Sequence, residues 1–167
     1  MTEPAAEGPI EVGAPAPEFT LRREDGSEFT RQDLEGNTTV LVFYPFAFSP
    51  VCTDQLGLYE DVLGDYLPKR GATMYGVSCD ASWSQTAFRE KLGVNIPQLS
   101  DFEPKGAACR AFGVYHPGGF PQRALVIVGP DGVVALSYQA PSPSDLPGAN
   151  QIIDGLDAVD ARSNSAA

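Results

Sequence analysis

The chain has 167 residues, 43% of them hydrophobic, enough for one substantial core and short for two domains of ordinary size. Asp and Glu number 22 against 11 Lys and Arg, a formal net charge of -11, which opposes binding to nucleic acid or to an anionic membrane, whose hold on proteins comes from basic side chains. No stretch suits a transmembrane helix and residues 1–12 lack any Lys, Arg or continuous apolar run, so a cytoplasmic address is expected, with the three cysteines as thiols rather than a disulfide framework.

Residues 1–11 read as a small, flexible acidic tail, with order expected from Val12, where Gly13, Pro15 and Pro17 set an extended approach to Phe19, Thr20 and Leu21. Asp25-Gly26 predicts a hairpin turn, with Glu28–Thr30 as the return. Thr38–Tyr44, reading TTVLVFY, is a β-branched and aromatic run suited to a strand covered on both faces, and Pro45 ends it. Cys52, Leu56, Tyr59, Leu63 and Tyr66 recur at spacings of three and four, which predicts one helix with an apolar face, stopped by Pro68 and Gly71.

Thr73–Cys79 reads as a strand, Ser82–Leu92 as a helix closed by Gly93, and Lys105–Phe112 as a short helix closed by Gly113. Ala124–Val128 is again a strand. Pro130-Asp131-Gly132 turns the chain into Val133–Tyr138, and a last helix is expected over Asn150–Val159, followed by a flexible tail at 160–167. No internal repeat is visible. This order predicts an α/β domain over residues 12–159: a mixed central β-sheet with helices on both faces. Its first two core strands should run parallel, as neighbours or near neighbours.

Chemistry is expected at Pro45-Phe46-Ala47-Phe48-Ser49-Pro50-Val51-Cys52. Ser followed by Pro is a helix start, with Ser as N-cap and Pro at the first helical position, where its missing N–H costs nothing. Cys52 then falls at the third helical position, whose N–H a capping hydroxyl commonly reaches. Its thiol lies among unpaired N–H groups at the positive end of the helix dipole, which favours thiolate. The same spacing also suits a core cysteine, since Cys52 opens the apolar stripe and free cysteine is among the most buried residue types. A core cysteine, however, has no need of a Ser-Pro cap just before it.

Here the sequence resembles the peroxiredoxins, whose signature of Pro, three residues, Thr or Ser, two residues and Cys is met by Pro45, Ser49 and Cys52. VGAPAPEFTL at 12–21, VSCDASWSQTAF at 77–88 and IPQLSDF at 96–102 extend the resemblance over most of the chain. It implies a thioredoxin-like three-layer fold and a thiol peroxidase without cofactor or metal. Cys52 would attack a hydrogen peroxide or organic hydroperoxide oxygen and become a sulfenic acid, with Pro45 shielding the thiolate from bulk water.

In that family a distant Arg just before a core strand approaches the cysteine, and Arg123, in PQRALVIV, stands in the matching place. Most relatives carry an acidic residue three positions after the cysteine to orient this Arg. Here Gln55 stands there, a candidate orienting residue whose amide oxygen accepts from a guanidinium without the strength of a charge, so Arg123 is expected to be held less firmly.

Lowering a thiol pKa from about 8.5 to about 6 raises the thiolate fraction at pH 7.4 only about thirteenfold. The larger share of the rate must come from donors aimed at the leaving oxygen, for which Arg123, Ser49 and the N–H of Cys52 are the candidates.

Gly57 stands five residues after Cys52, where some relatives have a second cysteine, and no long C-terminal arm carries one. The chain thus looks most like the one-cysteine, AhpE-like group. That likeness implies an external thiol reductant, such as a thioredoxin-like or mycoredoxin-like protein or a low-molecular-weight thiol, and a homodimer. Cys79 is the one candidate for an internal resolving partner, because its strand should run parallel to the strand leading to Cys52. Cys109 is expected to pack a short helix against the body.

Three competing readings stand beside this one. His116, the single histidine, could serve as base to a cysteine nucleophile as in cysteine hydrolases, though a lone loop histidine is more often a surface residue. A thioredoxin-like thiol-disulfide oxidoreductase needs C-x-x-C, and Gln55 occupies the second position. A non-enzymatic acidic binding module would leave the thiol inert. No ligand spacing in the chain announces a metal site.

Overall fold

A computed structural model describes residues 8–165. Its frame is a sheet of seven strands in the order Glu28–Thr30, Thr20–Arg23, Gln98–Ser100, Ala72–Ser78, Thr38–Phe43, Ala124–Val128, Val134–Gln139. The central strands are β3 (Thr38–Phe43), β4 (Ala72–Ser78) and β8 (Ala124–Val128), and β1 (Thr20–Arg23), β2 (Glu28–Thr30), β5 (Gln98–Ser100) and β9 (Val134–Gln139) complete it. β3, β4 and β5 run parallel, while β8, β9, β1 and β2 join antiparallel. The sheet is therefore mixed, and the first two core strands are direct parallel neighbours, as expected.

Side chains alternate across the sheet and divide the core. Leu41, Phe43, Val77, Ala124, Val126 and Val128 pack on one face with α4 (Ala107–Ala111) and the N-terminal segment. Val40, Val42, Met74, Leu125 and Ile127 pack on the other. There they meet the apolar faces of α1 (Pro50–Leu63), α2 (Tyr66–Lys69), α3 (Ser82–Leu92) and α5 (Ala149–Ser165). The result is the expected three-layer arrangement with helices on both faces.

The structure departs locally from the sequence expectation. The stripe from Cys52 to Tyr66 is broken after Leu63, because Gly64 weakens a helix by about 1 kcal/mol relative to alanine, and Tyr66–Lys69 forms a separate turn. The segment 98–100, to which the sequence assigns no element, is a strand that pairs β4 on one side and β1 on the other. A small hairpin of β6 (Tyr115–His116) and β7 (Phe120–Pro121) also forms.

The termini carry more structure than expected. Ile10 donates its N–H to Phe112 and packs against the core, so the fold begins before Val12. α5 continues to Ser165, so residues 160–165 are helical rather than a tail. The remainder of both expected tails, 1–7 and 166–167, lies outside the described residues.

Candidate active site

The parallel strands β3, β4 and β5 end at the same edge of the sheet, and the site is built where β3 runs out. Tyr44 still donates its N–H to Val77, at 3.0 Å. Pro45, buried and without an N–H to satisfy, then turns the chain away. Ala47 donates its N–H to the Asp80 carboxylate at 2.9 Å, and the same oxygen accepts the Ser78 hydroxyl at 2.7 Å. Asp80, beyond the end of β4, thereby braces the loop that follows β3.

Phe48 takes a left-handed backbone conformation, φ 68°, which non-glycine residues adopt only at a cost of order 1 kcal/mol. The turn is held by its ring, 5.3 Å from that of Phe88. It delivers Ser49 as the N-cap of α1, where its hydroxyl oxygen accepts the N–H of Cys52 at 3.2 Å, with Pro50 as the first helical residue. The cap predicted from Ser-Pro is present.

Cys52 is 0% exposed, and its sulfur receives Nη2 of Arg123 at 3.2 Å. Arg123, 2% exposed and immediately before β8, donates Nη1 to Oε1 of Gln55 and Nε to the carbonyl of Pro143 at 2.7 Å. Gln55 in turn donates Nε2 to the Tyr59 hydroxyl at 3.2 Å, and that hydroxyl donates to the Pro147 carbonyl at 2.6 Å. Each nitrogen of the guanidinium thus has an acceptor, as a buried Arg requires. Burial raises the pKa of Tyr59 above the ordinary phenol value, which keeps it a donor.

Cys52, Ser49, Arg123 and Gln55 are therefore linked by hydrogen bonds between α1 and the start of β8, and Pro45 is buried at the head of the loop that leads from β3 to them. One assigned role changes. The Cys52 N–H is committed to Ser49, so it is not a free donor, whereas the Ser49 O–H, accepting through its oxygen, keeps its own proton to give. Tyr59, Asp80 and the carbonyls of Pro143 and Pro147 are supports that the sequence reading did not find. In the sequence Tyr59 stands only as a member of the apolar stripe, and backbone carbonyls leave no mark there.

Cys79 is placed differently from the expectation of a partner for Cys52. It packs in the core on the opposite face of the sheet, with Cys109 and Asp101, while Cys52 packs on the α1 face. Cys79 follows Val77 by two residues and shares its side of the sheet, so the parallel course of the strands that was to bring the two thiols together instead keeps the sheet between them. His116 stacks on Phe120 with ring centroids 4.3 Å apart, and its Nδ1 accepts the N–H of Gly118 at 2.8 Å. Its ring nitrogen thus serves the hairpin turn.

A sequence model of the AhpC/TSA family matches residues 12–137. Alkyl hydroperoxide reductase E of Mycobacterium tuberculosis is 32% identical over 127 residues, which cover 75% of this chain and 82% of that protein. Peroxiredoxin Bcp of Escherichia coli is 32% identical over 131 residues, 78% of each chain. Among solved structures, AhpC of Enterococcus faecalis superposes with a TM-score of 0.82 at 24% identity, over 93% of this chain and 96% of that one. Peroxidoxin BcpB of Mycobacterium tuberculosis superposes with a TM-score of 0.75, also at 24% identity, over 91% and 97%.

Proposed function

The chain belongs to the AhpC/TSA family and is a thiol-dependent peroxidase of the peroxiredoxin type, and on that premise we propose that Cys52 is its peroxidatic cysteine. The observation that carries the assignment is the contact of Arg123 Nη2 with the Cys52 sulfur at the capped start of α1. The thiolate attacks the terminal oxygen of a hydroperoxide and the O–O bond breaks. Cys52 becomes a sulfenic acid, and the leaving oxygen, after taking a proton, departs as water or an alcohol.

Negative charge shifts from sulfur to the leaving oxygen during this step. Arg123 is placed to follow it, since a guanidinium offers five N–H donors in a rigid fork. The Ser49 hydroxyl supplies a second donor, and Pro45 closes the site against bulk water. Such preorganised donors are usually the largest single contribution in sites of this kind.

A thiol-disulfide oxidoreductase is not favoured, because the position three residues after Cys52 holds Gln55, already engaged by Arg123. The sulfenic acid passes to an external reductant, a thioredoxin-like or mycoredoxin-like protein or a small thiol, which agrees with the placement of Cys79 and Cys109 on the far face. The functional unit is the domain expected over 12–159 together with Ile10 and the last turns of α5. We assign it to the cytoplasm as antioxidant defence. No helix among the described residues is long and apolar enough to cross a membrane.

Self-association as a homodimer is supported by exposed aromatic side chains at the edge where β3, β4 and β5 end. Phe46 and Phe48 precede α1, Trp83 opens α3 and is 90% exposed, and Phe102 follows β5. So large an apolar group left in water marks a contact surface.

The test is a titration of the reduced protein with hydrogen peroxide, following intrinsic fluorescence and thiol content. One thiol should be lost rapidly and stoichiometrically, and Cys52→Ser should abolish the fast phase while leaving the circular dichroism unchanged. Full activity in that variant would sink the assignment.

A further inference from the structure

On the face of the sheet away from Cys52, the Cys79 and Cys109 sulfurs and a carboxylate oxygen of Asp101 all lie within 4.8 Å of one another. The three residues come from the end of β4, from α4 and from the segment after β5. We propose that Cys79 and Cys109 form a second redox site, a dithiol that a hydroperoxide oxidises to an intramolecular disulfide independently of Cys52.

The two thiols are unequal in the way such a step needs. Cys79, 8% exposed, directly precedes the partly exposed residues 80–82, whereas Cys109 is 0% exposed beneath it. The Cys109 thiol, acting as donor toward the Cys79 sulfur, is the chief cause of a lowered pKa at Cys79 and, in return, of a raised one at Cys109. Cys79, the more accessible and more acidic of the two, is thus the sulfur that attacks first, and Cys109 the thiol that waits.

Asp101 plays a supporting part. Its two carboxylate oxygens accept the N–H groups of Ala108 at 3.1 Å and Cys109 at 2.8 Å, at the start of α4. That commitment makes it a poor third ligand for a cation and leaves two sulfurs facing each other. It also fixes the backbone of Cys109 beside Cys79, while its buried negative charge further disfavours a Cys109 thiolate.

The chemistry balances with hydroperoxide as the two-electron oxidant. The Cys79 thiolate attacks the terminal oxygen, the O–O bond breaks, and the leaving oxygen takes a proton to depart as an alcohol or water, leaving Cys79 as sulfenic acid. The Cys109 sulfur then attacks the Cys79 sulfur. The S–S bond forms, the S–O bond breaks, and hydroxide leaves with the Cys109 proton as water. Two thiols lose two electrons, and the peroxide gains them. Among the described residues no Arg donates a hydrogen bond to either sulfur, as Arg123 does to Cys52, so the step is slow compared with that at Cys52.

The experiment uses the full chain carrying Cys52→Ser, so that its outcome is separate from the fate of the peroxidase assignment. Excess hydrogen peroxide should remove both remaining thiols together, and trypsin should release the peptide Gly71–Arg89 joined to Gly106–Arg110, two hydrogens lighter than the sum. Adding Cys109→Ala should instead leave a Cys79 sulfenic acid that dimedone traps, followed by sulfinic acid. Two unreacted thiols after prolonged oxidation, or separate sulfinic acids in the chain that retains both cysteines, would overturn the proposal. So would thiols that stay protected until a chelator strips stoichiometric zinc, which would make the cluster a cation site.

Discussion

Arg123 and Cys52, 71 positions apart in the chain, meet at 3.2 Å between guanidinium nitrogen and sulfur, and both are withdrawn from solvent. Neither residue could be kept in the core alone without cost. A buried guanidinium wants an anionic acceptor, and a reactive sulfur wants a donor that can follow its charge on to the departing oxygen.

Replacing Arg123 by Met keeps the volume of the side chain and removes that donor. The second-order rate constant for oxidation of Cys52 by hydrogen peroxide should fall at least tenfold, about 1.4 kcal/mol of transition-state stabilisation. Stopped-flow fluorescence measures it, and an unchanged constant would return Arg123 to a purely structural role.

Gln55→Glu tests why an amide stands beside this Arg. The Tyr59 hydroxyl gives its proton to Pro147 and accepts from Gln55. A glutamate has no proton to give, so Tyr59 must turn its own toward the new carboxylate and leave the Pro147 carbonyl without a donor. An orphaned buried acceptor costs about 1–3 kcal/mol. The variant should hold Arg123 firmly and keep its oxidation rate within about threefold, yet unfold at lower denaturant, with amide hydrogen exchange rising first in residues 143–148. Greater stability than the parent would show that the direction of these bonds does not matter.

Trp83→Glu places a charge on the aromatic edge without touching the Cys52 pocket. If that edge joins two copies, sedimentation should show a dimer for the parent chain and a monomer, or an affinity weakened at least tenfold, for the variant. A parent chain that remains monomeric at micromolar concentration would remove the dimer.

The Cys79 pKa is lowered chiefly by the hydrogen bond from Cys109. In the Cys52→Ser chain, alkylation of Cys79 should therefore begin at a lower pH than for an ordinary thiol. Removing the donor with Cys109→Ala raises the pKa, so the alkylation profile should move to higher pH and the rate at pH 7 should drop. A profile that stays in place would assign the shift to something other than that bond.

The elements that follow from local rules were readable in the chain. Ser49-Pro50 announced the helix start, TTVLVFY the central strand, and the family signature the residues to look for around Cys52. Gln55 was singled out because it departs from the usual acid, and it is the residue that Arg123 reaches. What could not be read depends on distant pairing. Gln98–Ser100 is too short to show an alternating pattern and becomes a strand only because β4 and β1 flank it. Tyr59 looks like any apolar stripe member until Pro147 arrives from 88 positions away to accept its proton. The sheet likewise sends Cys79 to the side opposite Cys52, because one side-chain alternation decides the face and strand direction does not.

The carbonyls of Pro143 and Pro147 have a consequence for how the protein comes into being. Synthesis delivers Cys52 early and Arg123 much later, but the acceptors that fix the guanidinium and Tyr59 arrive only with the loop between β9 and α5. A nascent or truncated chain that has emerged only as far as β9 holds every residue named in the reaction but neither of the two carbonyls that anchor Arg123 and Tyr59. Catalytic competence is then switched on late, by the closing loop, so an unfinished chain carries a cysteine but no enzyme.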